Sequence, residues 1–178
     1  VTVTAPAVTP NTGYKQKTGA AAWDKALTQK FTAENTTITA QYEEIGDVIP
    51  QVNTDGSDKP NGYVTVKFKA VNGSLEGTTT YYVNGEKEVD LTNTANAITK
   101  KPDIGYKAEG SWDKSLKAKF NDGDVLTFTF EAFSDVIEKI DENTKKPDGY
   151  VTVKLIPTDK ATEETKAEKV YFDNPKKE

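Results

Sequence analysis

From Tyr63 to Phe68 the chain alternates Val64, Val66 and Phe68 with Tyr63, Thr65 and Lys67. A period of two with this β-branched content predicts a strand with one buried face. Tyr150 to Leu155 reproduces the pattern, and Thr37 to Tyr42, Thr78 to Val83, Val125 to Phe130 and Lys169 to Phe172 share its character. Gly, Asn, Asp or Pro turn residues flank most of these runs. Ala20 to Phe31 reads differently: Trp23, Leu27 and Phe31 stand four apart in Ala-rich sequence, which predicts a helix with one apolar face, and Trp112, Leu116 and Phe120 repeat the spacing. Val136, Ile137 and Ile140 predict a second short helix over Asp135 to Ile140, whose counterpart holds Pro50 and is expected to be extended. The expected fold class is α+β: β-rich tandem modules, each a small, mainly antiparallel sheet with one short helix.

The same residues reveal a duplication with a period of about 89 residues, drifting between about 87 and 92. Gly13-Tyr14 recurs as Gly105-Tyr106, and Trp23-Asp24-Lys25 with Leu27, Lys30 and Phe31 as Trp112-Asp113-Lys114 with Leu116, Lys119 and Phe120. Ile38 to Tyr42 recurs as Leu126 to Phe130, and Asp47-Val48-Ile49 as Asp135-Val136-Ile137. Lys59-Pro60 followed by Gly62 to Lys67 recurs as Lys146-Pro147 followed by Gly149 to Lys154, and Tyr81-Tyr82 as Tyr171-Phe172. The matched residues are mainly aromatic, aliphatic and glycine, the types that set cores and turns, whereas the charged stretch Thr158 to Lys169 has no close counterpart. The repeat predicts one module over 1–88 and a second over 89–178. In an alternative phase a complete module runs from about Ile45 to Ala132, with a partial module on either side.

Composition narrows the chemistry. The 178 residues include no Cys, Met or His, and all 23 basic residues are Lys, against 28 acidic ones, for a net charge of -5. Acid–base catalysis is left with Asp, Glu, Lys and Tyr, and the carboxylates are scattered through polar stretches, so no enzyme, catalytic residue or cofactor is expected. The absence of Arg and the acidic balance argue against nucleic-acid binding. No apolar run approaches the ~20 residues that cross a bilayer, and Val1 opens no targeting pattern, so the chain reads as a fragment of something larger.

Three candidate sites stand beside blander readings. Asn53-Thr54-Asp55-Gly56-Ser57-Asp58 has the alternating oxygens of a calcium loop but lacks the downstream bidentate Glu, and, like Asn121 to Asp124, it also reads as a turn. A Lys–Asn isopeptide cross-link beside an acid would brace a chain without disulfides, although the sequence does not select the pair. Tyr81-Tyr82, Tyr171-Phe172, Trp23 and Trp112 would suit a glycan platform; at strand spacing one of each adjacent pair faces inward, so core packing is the expected role.

The Asp-Val-Ile, Lys-Pro-x-Gly-Tyr-Val-Thr-Val, Thr-Tyr-Tyr-Val-Asn, Gly-Tyr, Trp-Asp-Lys-x-Leu and Thr-Thr-Ile-Thr-Ala-x-Tyr series resembles the tandem repeats of Gram-positive cell-wall-anchored surface proteins. Internalin-type B repeats, mucin-binding-like repeats and SHIRT repeats are the nearest types. The resemblance implies secretion, attachment to the cell wall, and a structural stalk that projects a distal adhesive domain, with neighbouring modules of the same chain as partners. The alternative is an adhesive module that itself binds host glycan or extracellular-matrix protein.

Overall fold

The computed structural model describes residues 1–34, 36–157 and 168–177. The charged stretch from Thr158 lies outside them, apart from Glu168 and Lys169. In chain order the strands are β1 (Tyr14–Gln16), β2 (Tyr42–Glu44), β3 (Val48–Pro50), β4 (Tyr63–Val71), β5 (Gly73–Glu76), β6 (Thr80–Asn84) and β7 (Val89–Asp90). They continue as β8 (Thr99–Pro102), β9 (Tyr106–Trp112), β10 (Lys117–Ala118), β11 (Asp124–Ala132), β12 (Val136–Glu138), β13 (Val151–Leu155) and β14 (Lys169–Asp173). Helical structure among the described residues is a 3-10 turn, Gly19–Ala22, and one α-helix, α1 (Thr92–Ala97). The chain is therefore β-rich, with several small sheets and one short α-helix.

Two compact units emerge, neither of them a continuous stretch. The first comprises Val1–Phe68, Thr78–Ala97 and Ser115–Leu126, and the second Lys69–Gly77, Ile98–Lys114 and Thr127–Glu178. In the first, β1 pairs with β2, β7 with β10, and β6 lies between β3 and β4. Val66 and Phe68 turn inward on β4 while Lys67 and Lys69 turn out, as the alternation predicts. Around them Tyr82, Val83, Val89, Leu91, Ala95, Phe120 and Leu126 are all buried. Within the second unit β9 pairs with β11, β5 with β8, and a three-stranded sheet runs β12-β14-β13. Its apolar centre is a chain of edge-on rings, Trp112 to Phe128 at 5.3 Å and Phe128 to Phe130 at 4.9 Å between centroids.

The strands expected at Tyr63, Thr78, Val125, Tyr150 and Lys169 form within a few residues of their predicted bounds. The helices do not. Trp23 lies on an isolated antiparallel bridge to Ala40, Leu27 accepts a bond from the Val3 N–H at 3.0 Å, and Trp112 closes β9. A spacing of four residues is one helical turn and also two full periods of a strand, so it selects a face without selecting the element. What decides is Asp24: its carboxylate accepts from the Thr39 N–H at 2.7 Å, and its own N–H donates to the Thr39 carbonyl at 2.9 Å. Asp113 makes the same pair with Thr127, at 2.7 and 2.9 Å. Asp135 to Ile140 likewise yields β12, whose Ile137 pairs with Phe172 of β14. Short apolar runs take the structure their neighbours offer.

The helix that does form was not expected. Thr92 N–H donates to the Asp90 carboxylate at 2.8 Å, an Asx turn that starts α1, and Leu91, Ala95 and Ile98 place a buried stripe at helical spacing. Thr and Asn give the segment little intrinsic propensity, so burial of that stripe holds it.

The turn before β4 explains one recurring motif. Tyr63 N–H donates to the Pro60 carbonyl at 3.2 Å, closing a turn whose third residue, Gly62, sits at φ +74°. Tyr150, Pro147 and Gly149 (φ +80°) repeat it, also at 3.2 Å. A positive φ at that position is the type II signature and favours glycine.

Candidate functional site

The most structured polar cluster lies beside β4 in the first unit. Asp122, in the turn entering β11, accepts from the Lys59 ammonium at 2.6 Å and from the Thr65 N–H at 2.7 Å, while the Gly123 N–H donates to the Thr65 carbonyl at 2.8 Å. The Lys59 bond and the Thr65 N–H pull the Asp122 carboxyl down to about 2. Because its folded value lies below the ordinary ~3.9, this carboxylate contributes stability above about pH 4 that is lost as pH falls toward 2. Asp122→Asn is expected to flatten the stability–pH profile in that window. The change should be at most about 1 kcal/mol and shrink with salt, because the side chain is more than half exposed. Urea midpoints at pH 7 and pH 3 measure it; an unaltered pH slope in the variant would count against the assignment.

The calcium-like loop spends its oxygens on itself. Asp58 accepts from Tyr82 Oη at 2.8 Å, from the Val52 N–H at 2.7 Å and from the Asn53 N–H at 3.2 Å, and Asp55 accepts from the Ser57 N–H at 2.9 Å. These bonds build a turn that caps the buried ring of Tyr82. Among the described residues no group of three acidic side chains is placed to hold a metal. A Lys–acid–Asn grouping does occur: Asp47 accepts from Asn84 Nδ2 at 3.1 Å and pairs with the Lys87 ammonium at 2.8 Å. Lys87 and Asp47 both face water, an ion pair rather than the enclosed pair a cross-link would need.

The adjacent aromatics divide as strand alternation requires. Tyr82 and Phe172 are buried, while Tyr81 and Tyr171 lie half-buried on the opposite faces, Tyr81 edge-on to Phe68 at 5.8 Å. Trp23 and Trp112 are half-buried, and the Lys100 ammonium stands 5.9 Å from the Trp112 ring. Tyr82 and Phe172 thus serve packing, each in its own unit.

The feature that residue-by-residue reading missed is an asymmetry between matched positions. Phe68 on β4 is 3% exposed and its match on β13, Leu155, 55%; Phe130 on β11 is 2% exposed and its match, Tyr42, 39%. Val66 is fully buried where Val153 is exposed, and so is Leu91 of Val89-Asp90-Leu91-Thr92 where Val3 of the parallel Val1-Thr2-Val3-Thr4 is exposed. Among the described residues β13 pairs with β14 alone. Only the matching of positions along the sequence pointed to where this comparison could be made; the difference in burial itself comes from which strands pair. Comparison with protein-family models, curated proteins and solved structures returned no match.

Proposed function

We propose that this chain is a non-catalytic structural spacer: tandem copies of one β-rich module in the stalk of a bacterial cell-surface adhesin, projecting a distal binding domain outward from the cell wall. The observation that carries the reading is that matched positions make the same bonds. Tyr63 and Tyr150 donate their hydroxyls to the Gly46 and Ser134 carbonyls at 2.9 and 3.0 Å. Asn84 and Asn174 donate their N–H groups to the Asp47 and Asp135 carbonyls at 2.8 and 2.9 Å, and each side chain then accepts from the N–H two residues on, at 3.1 Å. Ile45 and Phe133 reach the Gly13 and Gly105 carbonyls at 2.9 and 2.8 Å.

What recurs is scaffold. The ion pair of Lys59 with Asp122 has no counterpart at the matched positions among the described residues, and those residues do not concentrate polar side chains as a reaction would require. Copy number would then set reach, as in other quasi-one-dimensional repeat proteins. The burial pattern favours the phase in which the complete module spans 45–132. Apart from Tyr150 and Phe172, every buried apolar residue among those described lies between Tyr63 and Phe130.

Small-angle scattering on genetic fusions of one, two and three copies of the chain tests the spacer role. The maximum dimension is expected to grow by equal increments. Growth that levels off as in a compact globule would sink the reading.

A further inference from the structure

We propose that the edge of β13 left unpaired among the described residues and the exposed apolar side chains of the first 44 residues are the two halves of one interface, so that a second copy of this chain docks its residues 36–44 beside Val151–Leu155 of the first. The inference rests on the repeat reading above and names the partner it implies.

The precedent is the pairing along β4. There β4 carries β6 on one side and β11 on the other, and Asp122 and Gly123 fasten the β11 side through Thr65 and Lys59. Matched positions translate each element. β13 stands for β4, Thr152 for Thr65, and Lys146 for Lys59. Residues 34–44 stand for 122–132, and counting back from the Ile38–Leu126 match puts Glu34 in the place of Asp122. The carboxylate that pairs with the lysine is thus present in the first copy, one methylene longer.

Both surfaces are open where the precedent is closed. The five residues of β13 are exposed, and the apolar Val153 and Leu155 stand where Val66 and Phe68 are buried. On the other half, Val3 and Tyr42 are exposed where Leu91 and Phe130 are buried. Glu34 and Lys146 are both exposed and make no ion pair among the described residues, which leaves opposite charges at matched places on the two halves. An unpaired strand edge with apolar neighbours is a template for strand addition. Because the halves differ, the contact is head-to-tail and leaves each end free to continue, rather than closing a symmetric dimer.

Sedimentation velocity on the whole chain, followed up to about 1 mM, tests this, since even a millimolar contact becomes saturating when copies are held in tandem. The weight-average mass is expected to rise continuously past that of a dimer. Val153→Lys with Leu155→Lys is expected to weaken association at least about tenfold, because two charges would have to be buried against apolar side chains. Lys146→Glu is expected to weaken it several-fold, and adding Glu34→Lys in the same chain to restore it. Circular dichroism checks that each variant stays folded; Val153 and Leu155 are both partly exposed to begin with. A chain that stays monomeric at about 1 mM, or one whose association the β13 variant leaves unchanged, overturns the interface. Neither result touches the scattering increments of covalent fusions, so failure of the interface is distinguishable from failure of the spacer reading.

Discussion

Replacing Phe130 by Ala is expected to lower stability by about 3–5 kcal/mol, whereas the same replacement at the matched position, Tyr42→Ala, is expected to cost under about 1 kcal/mol. Phe130 is buried, stands edge-on to Phe128, and lies so close to Gly73 that a side chain there would strike its ring. Truncation removes the transfer free energy of the ring and leaves a cavity that the surrounding strands cannot collapse to fill. Tyr42 opens β2, opposite Gln16, and keeps much of its surface in water. Little burial is lost with it. Urea titration of the two variants measures both values, with an unchanged denaturant slope showing that the stability alone has moved. Equal losses would show that the two copies bury this position alike, contrary to the asymmetry described above.

Gly110→Ala carries the second large effect, about 3 kcal/mol, at the upper end of what overpacking costs. Gly110 lies on β9 directly opposite Phe130 of β11. A Cβ there would run into the Thr129 carbonyl oxygen and approach the Phe128 ring to 2.8 Å. The ring could turn aside, but the carbonyl belongs to the paired strand and cannot move without breaking the ladder. The matched residue in the first copy is Ala21, and Ala40 there replaces Phe128. The larger aromatic thus accompanies the smaller partner in the second copy, and the first copy has alanine at both positions. Ala21→Gly is accordingly expected to cost under about 1 kcal/mol. Near-UV circular dichroism of Trp112, edge-on to Phe128, gives a second readout: Gly110→Ala should weaken that signal. An unaltered spectrum with unaltered stability would refute the close-approach argument.

Strand positions were legible because β-branched and aromatic residues in alternation have few other ways to bury one face. The helices were misread at Trp23 and Trp112 because a spacing of four fits both elements, and the evidence that separates them, an aspartate capturing a backbone N–H from a segment some 15 residues away, is not local. α1 was overlooked for the opposite reason. Its buried stripe of Leu91, Ala95 and Ile98 is helical, but Thr and Asn around it lower the local propensity that a sequence reading weighs first. Among the candidate sites, the calcium-like loop and the aromatic pairs were visible as residue types. Their occupation by the Val52 N–H, the Asn53 N–H and the Tyr82 hydroxyl depends on how the loop folds back on β6.

By itself the sequence determined that the chain carries one pattern twice, that the pattern is written in core and turn residues, and that imidazole, thiol and guanidinium chemistry are excluded. Those are properties of composition and order. Only the tertiary structure decided which copy of each residue is buried, because burial depends on what a neighbouring strand covers and not on the side chain that is covered. Val66 and Val153 are the same residue in the same motif, and one is fully buried while the other is exposed on β13. That difference arises from pairing between segments far apart in the chain, which no local pattern of apolar and polar positions encodes.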